Sequence, residues 1–335
     1  MDFKDALEIY RHASLEELMG EADLVRRRIK EDSRVVTYQI DRNVNITNVC
    51  RSGCRFCSFH TRLADKQGGY ITTMDEYKEK IEGLRAVGGR QLLLQGGMHP
   101  HLGIEYYEEL FRSLKGYFPE LILHALGAPE VFYLAGKAFI SIEEALRRLV
   151  DAGLDSLPGA GAELLNNEWR KKNTPLKCSG DEWLSVMETA QTMGLLTSAT
   201  MMYGFRDSDE LRIEHLYKIR ELQSLTGGFR AFISWPYRGK DIGKPSAEEY
   251  LRVVAISRLV LDNIENIQAS WLTVGVESGV KALSGGANDM GSIMIEENVV
   301  RSAGVSFSMN ESRMRTIIEE AGYIPRLRDQ AYNLL

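Results

Sequence analysis

The chain has 335 residues, 44% of them hydrophobic, enough to fill the core of one large α/β domain or two average ones. Its 41 basic and 47 acidic residues leave a formal net charge of -6, and no basic run exceeds Arg26-Arg27-Arg28, which argues against a nucleic-acid partner. Nowhere do about 18 apolar residues run together, and the acid-rich N-terminus lacks the apolar stretch of a signal peptide, so no membrane partner is expected and the expected location is cytoplasmic.

Residues 1–40 read as amphipathic helices. Beyond them the chain repeats a rhythm of short apolar run, turn and helical period, the pattern of parallel strands joined by helices. Strands are expected near 43–49, 91–97, 121–127, 155–161, 197–204, 229–236, 266–273 and 284–291. Helices are expected over 74–87, 104–117, 141–152, 180–193, 209–226, 247–261 and 276–283, with Ser141 placed to cap the third. Eight strands alternating with helices predict a single α/β domain, a (β/α)8 TIM-type barrel: N-terminal helices over 1–40, a barrel core over 41–291 and a C-terminal helical cap over 292–335. An open doubly wound sheet is the runner-up, but no Gly-x-Gly-x-x-Gly follows the first strand.

A barrel carries its chemistry on the loops that leave the C-terminal ends of its strands. The first such loop, "NVCRSGCRFCSFH", holds Cys50, Cys54 and Cys57, and a reducing compartment favours metal binding or catalysis over disulfides for such a cluster. Structural zinc wants four ligands, and neither His60 nor the distant Cys178 completes a site at zinc spacing. Three thiolates on an iron-sulfur cluster would leave one iron open to an outside chelator. Phe56 beside the last cysteine could shelter a cluster or pack on a flat ligand.

In the next loops, Gln95-Gly96-Gly97 offers bare backbone that a ligand can approach, or simply a tight turn. His99 and His101 lack an evident third metal partner. Glu163, after a glycine-rich run, is suited to accept hydrogen bonds from ribose hydroxyls or to pair with a sulfonium, and Met201, Met202 and Tyr203 could flank an adenine. Asn288 and Asp289 sit between glycines, where a carboxylate could take a proton.

Cys50, Cys54 and Cys57 at this spacing, with Phe56, resemble the signature of the radical S-adenosylmethionine enzymes. The resemblance implies a 4Fe-4S cluster on the three cysteines whose open iron binds the amino and carboxylate groups of S-adenosylmethionine, with Gln95, Gly96, Gly97, Glu163 and Tyr203 as further cofactor contacts and a reducing electron-donor protein as partner. Longer segments, among them "TYQIDRNVNITNVC", "AGLDSLPGAGAELL" and "GANDMGSIMIEENVVRSAGVS", are similar to the cyclic dehypoxanthine futalosine synthases of menaquinone biosynthesis. Aminofutalosine synthase and the deazaflavin-forming FO synthase subunits are neighbouring members. What this implies is a nucleoside-type substrate that loses its ribose 4′ hydrogen, closes a ring onto its own benzoate, and then sheds a proton, for which Asp289 is the candidate acceptor. Two positions depart from the family pattern: Phe205 stands where a histidine is usual, and His60 where a tyrosine is common.

Overall fold

Short apolar runs separated by helical periods build the parallel sheet of the computed structural model, which describes residues 1–63, 68–239, 242–296, 298 and 309–335. Its strands are β1 Val35–Gln39, β2 Asp41–Asn45, β3 Gln91–Gln95, β4 Ile122–Ala125, β5 Ser156–Leu157, β6 Leu196–Tyr203, β7 Phe229–Pro236, β8 Asn266–Gln268, β9 Asp289–Ser292 and β10 Ile324–Leu327. All pairings are parallel, in the order β10-β1-β9-β8-β7-β6-β5-β4-β3-β2. Each of the eight expected strands has a counterpart here.

The helices are α1 Phe3–His12, α2 Leu15–Ile29, α3 Met74–Arg85, α4 Ile104–Tyr117, α5 Ala128–Ala138, α6 Ile142–Asp151, α7 Asn167–Asn173, α8 Gly180–Thr192, α9 Asp209–Thr226, α10 Ala247–Val260, α11 Trp271–Val274, α12 Val276–Lys281 and α13 Glu311–Glu320. Ser141 caps α6 as expected, its Oγ accepting the Glu144 N–H at 3.0 Å. No helix among the described residues is long and apolar enough to cross a membrane.

Two strands depart from expectation. β1 lies inside the segment read as N-terminal helices, where Val36 and Tyr38 are fully buried and Thr37 and Gln39 turn to the opposite face. β10 lies inside the expected C-terminal helical cap, of which α13 supplies the helix, while 297 and 299–308 lie outside the described residues. Pro325 has no N–H to give a ladder, and β10 accordingly occupies an edge, paired only with β1.

β1 and β2 are halves of one extended run broken at Ile40. The first half pairs with β9 and the second with β3, and Ile293 N–H reaches Gln39 O at 3.0 Å beyond the end of β9. Ser292 Oγ donates to the carboxylate of Asp41, so side chains from strands remote in the sheet order meet across a curled inner face. The outer face is the apolar one: Leu92, Leu94, Leu123 and Phe232 are fully buried there under the helices. On the inner face Gln39, Asp41, Gln91, His124 and Ser156 form hydrogen bonds with one another and with Arg328 and Gln330, which enter from the segment after β10.

Candidate functional site

The cysteine loop leaves β2 and folds back across the end of β3. Gly97 N–H donates to Thr47 O at 2.7 Å, Arg51 N–H to Met98 O at 3.1 Å, and Cys50 N–H to Thr61 O at 3.0 Å. Contact is so close that a Cβ on Gly97 would lie 2.2 Å from Val49 O and 2.8 Å from the Cβ of Cys50. Gly97 thus has a packing reason to be glycine, its approach to the thiol loop, which neither reading of the sequence, ligand approach or tight turn, had named.

All four cysteines are free thiols. Backbone N–H groups point at the sulfurs: Ser52 and Met98 at 3.4 and 3.3 Å from Cys50 Sγ, and Phe59 and His60 toward Cys57. Ser52 Oγ lies 3.0 Å from Cys50 Sγ and 3.4 Å from Cys54 Sγ, tying two of the three together. Burial pushes the Cys54 and Cys57 thiols up, opposed by the nearby Lys177 ammonium. Among the described residues no three metal-ligating side chains stand close enough to share one ion. Amide and hydroxyl donors around sulfur lower the cost of several thiolate charges on one loop. The residues present therefore fit a cluster ligated at three points.

Lys177, which sequence reasoning passed over for its neighbour Cys178, organises the far side of the loop. Its Nζ donates to Glu163 Oε1 at 2.8 Å and lies 5.9 Å from the centre of the Phe56 ring. Arg170, fully enclosed, staples the same region by donating to Ala162 O at 2.6 Å and Cys178 O at 2.9 Å, with Glu163 Oε2 at 3.4 Å. Glu163 is itself held at φ 41°, a conformation that non-glycine residues rarely adopt, by the Met202 N–H bonding its carbonyl at 3.1 Å. The signal for both cations was their place: α7 and the turn before α8 follow directly on the glycine-rich loop.

Phe56 stacks on Trp169 at 6.2 Å and meets Phe205 edge-on at 5.7 Å, so the residue standing in the family's histidine position walls in the cysteine loop. His99 and His101 lie with ring centres 5.8 Å apart. A rim carboxylate missed in the sequence, Glu130, opens α5, and burial raises its pKa.

Two expected placements are corrected. Tyr203 faces the helical layer: the Arg212 guanidinium of α9 sits 5.0 Å over its ring, and β6 alternation gives the inner face to Thr200 and Met202 instead. Asp289 opens β9 rather than ending it, fully buried, and its carboxylate is occupied by Arg328 at 2.6 and 2.9 Å, the Gly291 N–H at 2.7 Å and the Thr37 hydroxyl. Such a carboxylate holds a cation in place and has no free lone pair directed at a substrate.

The model of the Radical SAM superfamily matches residues 44–218, and that of the CofH/MqnC C-terminal region matches 226–335. The chain is 45% identical over 338 residues to the cyclic dehypoxanthine futalosine synthase of Streptomyces coelicolor, covering 99% of this chain and 85% of that protein. It is 38% identical over 330 residues to the 5-amino-6-(D-ribitylamino)uracil--L-tyrosine 4-hydroxyphenyl transferase of Methanothermobacter thermautotrophicus, covering 95% and 89%. Among solved structures, methylornithine synthase shares the fold with a TM-score of 0.71 at 18% identity, covering 98% of this chain and 95% of that one.

Proposed function

The chain belongs to the radical S-adenosylmethionine superfamily, in the branch that contains the cyclic dehypoxanthine futalosine synthases, and from that premise we propose that it converts dehypoxanthine futalosine to its cyclic form in menaquinone biosynthesis. The observation that carries the proposal is the three-thiol loop, set at the C-terminal end of a parallel strand in a chain similar to such a synthase over nearly its full length. We read the curled sheet as the (β/α)8-type barrel, with β1 and β2 together as its first strand.

Members of the superfamily bind a 4Fe-4S cluster and S-adenosylmethionine, which together supply a 5′-deoxyadenosyl radical able to remove a hydrogen atom from a substrate. In this chain Cys50, Cys54 and Cys57 would hold the cluster, with the Ser52, Met98, Phe59 and His60 N–H groups balancing thiolate charge. Gln95, Gly96 and Gly97 would line it from the end of β3, packed against the thiol loop. The Glu163 carboxylate, fixed by Lys177 and Arg170, presents acceptors for ribose hydroxyls. Phe56, Trp169 and Phe205 exclude water from that side. The exposed Arg51 and Arg55 on the loop suit the approach of an acidic reducing protein.

Anaerobically reconstituted protein, given S-adenosylmethionine, a reductant and dehypoxanthine futalosine deuterated at the 4′ position, should yield the cyclised product together with deuterated deoxyadenosine. Deoxyadenosine without deuterium would overturn the assignment of the abstracted hydrogen. The archaeal relatives support a second reading, in which tyrosine and 5-amino-6-(D-ribitylamino)uracil are the substrates; offering both mixtures and identifying the product by mass separates the two.

A further inference from the structure

The loop that carries the thiols is basic on its exposed side. Residues 47–63 hold Arg51, Arg55 and Arg62 and no carboxylate, in a chain whose 47 acids outnumber its 41 bases. Residues 95–104, 131–142 and 169–180, which supply the neighbours of the loop, hold no carboxylate either.

Contacts gather the cations of these segments around the loop. Arg51 follows Cys50, and its N–H donates to Met98 O at 3.1 Å. Its guanidinium lies 5.4 Å from the centre of the Tyr133 ring on α5, and the Lys137 ammonium, one turn further along that helix, lies 6.0 Å from the same centre. Tyr133 is anchored by its hydroxyl, which donates to His99 O at 3.4 Å, and Lys137 by donating to Pro100 O. On the other flank Arg55 N–H donates to Asn173 O at 3.0 Å, which sets it beside Lys171 and Lys172 in the last turn of α7. Arg51, Arg55, Lys137, Lys171 and Lys172 are all exposed. Glu105, beside the Gly103 turn that Lys137 also approaches, is turned to Arg148 at 3.2 Å.

Apolar side chains break the same surface. Phe139, two residues past Lys137, is 95% exposed, and Leu176, three past Asn173, is 57% exposed. A basic area with solvent-facing apolar residues fits a protein partner better than a small ligand, which takes an enclosed pocket. The Cys50 and Cys57 thiols beneath it are themselves only half-buried.

We propose that this face, centred on Arg51, Tyr133 and Lys137 and flanked by Arg55, Lys171 and Lys172, docks an acidic electron-carrier protein. The proposal rests on the cluster-bearing reading given above. One electron leaves the flavin or iron-sulfur centre of the carrier, which is oxidised, and enters the cluster, which is reduced. Complementary charge suits a short-lived partner of this kind, because it speeds the encounter without locking the complex afterwards. The rest of the chain is acidic and repels the carrier, so the basic face also fixes where it lands.

The test is stopped-flow reduction of the reconstituted protein by a reduced acidic flavodoxin, by a reduced acidic ferredoxin and by reduced methyl viologen, a small cation, following the colour change of each reductant. At least one carrier should reduce wild type at a rate that falls about tenfold between about 0.05 and 0.5 M salt. Lys137→Glu, and separately Lys171→Glu combined with Lys172→Glu, should slow that carrier by about tenfold and flatten its salt response, with the viologen rate not lowered. Lys137→Arg, which keeps the charge, should behave as wild type. Unchanged carrier rates in the charge-reversed variants, or carrier and viologen rates lowered alike, would overturn the docking face and leave the cluster reading intact. Failure of both carriers on a wild-type cluster that viologen reduces would do the same. A salt-sensitive dimer abolished by Lys137→Glu would also overturn it, assigning the face to a second copy of the chain. Wild type that retains no iron after reconstitution would overturn both readings.

Discussion

At the scale of single residues, the thiol loop and Asp289 make opposite predictions. Cys54→Ala removes one of three ligands, so reconstituted protein should carry far less iron than wild type and lose the brown absorbance, with the melting temperature of the cluster-free protein little changed. Asp289→Asn leaves the buried Arg328 guanidinium without its anion, and breaking such a pair costs about 3–5 kcal/mol, so the variant should melt well below wild type. A proton acceptor would behave in reverse: unchanged melting and collapsed turnover. Asp289 was legible as a carboxylate between glycines, but not as a structural one, because its partner lies at the other end of β10, in a segment that no local pattern connects to it.

At the scale of elements, the end of β3 and the thiol loop are one packed unit. Gly97→Ala would drive a methyl group into Val49 O, so the loop must shift and iron retention should fall although every cysteine is intact; an iron assay on the reconstituted variant reads this directly. α8 begins just after Lys177 and is closed by a capping box between Ser179 and Glu182; Ser179→Ala should destabilise the protein by about 1 kcal/mol in a denaturant titration. Elements of this kind were readable because their causes are local: the short apolar run of β3 and the cap at Ser141. β1 and β10 were missed because each is short and gains its stability from distant partners, Val35 from Ile324 and Thr37 from Asp289. Lys177 and Arg170 escaped notice for the same reason, since their role appears only once the glycine-rich loop is folded against them.

At the scale of the whole molecule, two buried histidines, His124 on the inner face and His215 on α9, set the response to pH. Burial pushes the His124 and His215 imidazoles down to about 3, against about 6.5 in the unfolded chain. Both contribute stability that is fully present above pH 6.5 and is lost as the pH falls toward 3, by about 1.4 kcal/mol per unit for each. Melting temperature should therefore fall steadily between pH 6.5 and 4, and His124→Asn, which keeps an acceptor for Ser156, should show a shallower decline. The broken run of β1 and β2 has a consequence in time. The strand that launches the cysteine loop is completed only by β9 and β10, which follow the loop by most of the sheet, so both must be synthesised before that strand has its neighbours. On the proposed ligation, iron loading is expected to follow the synthesis of β10: iron delivered earlier would meet three thiols on an unsupported thread, whereas iron delivered later would meet a loop already held in place.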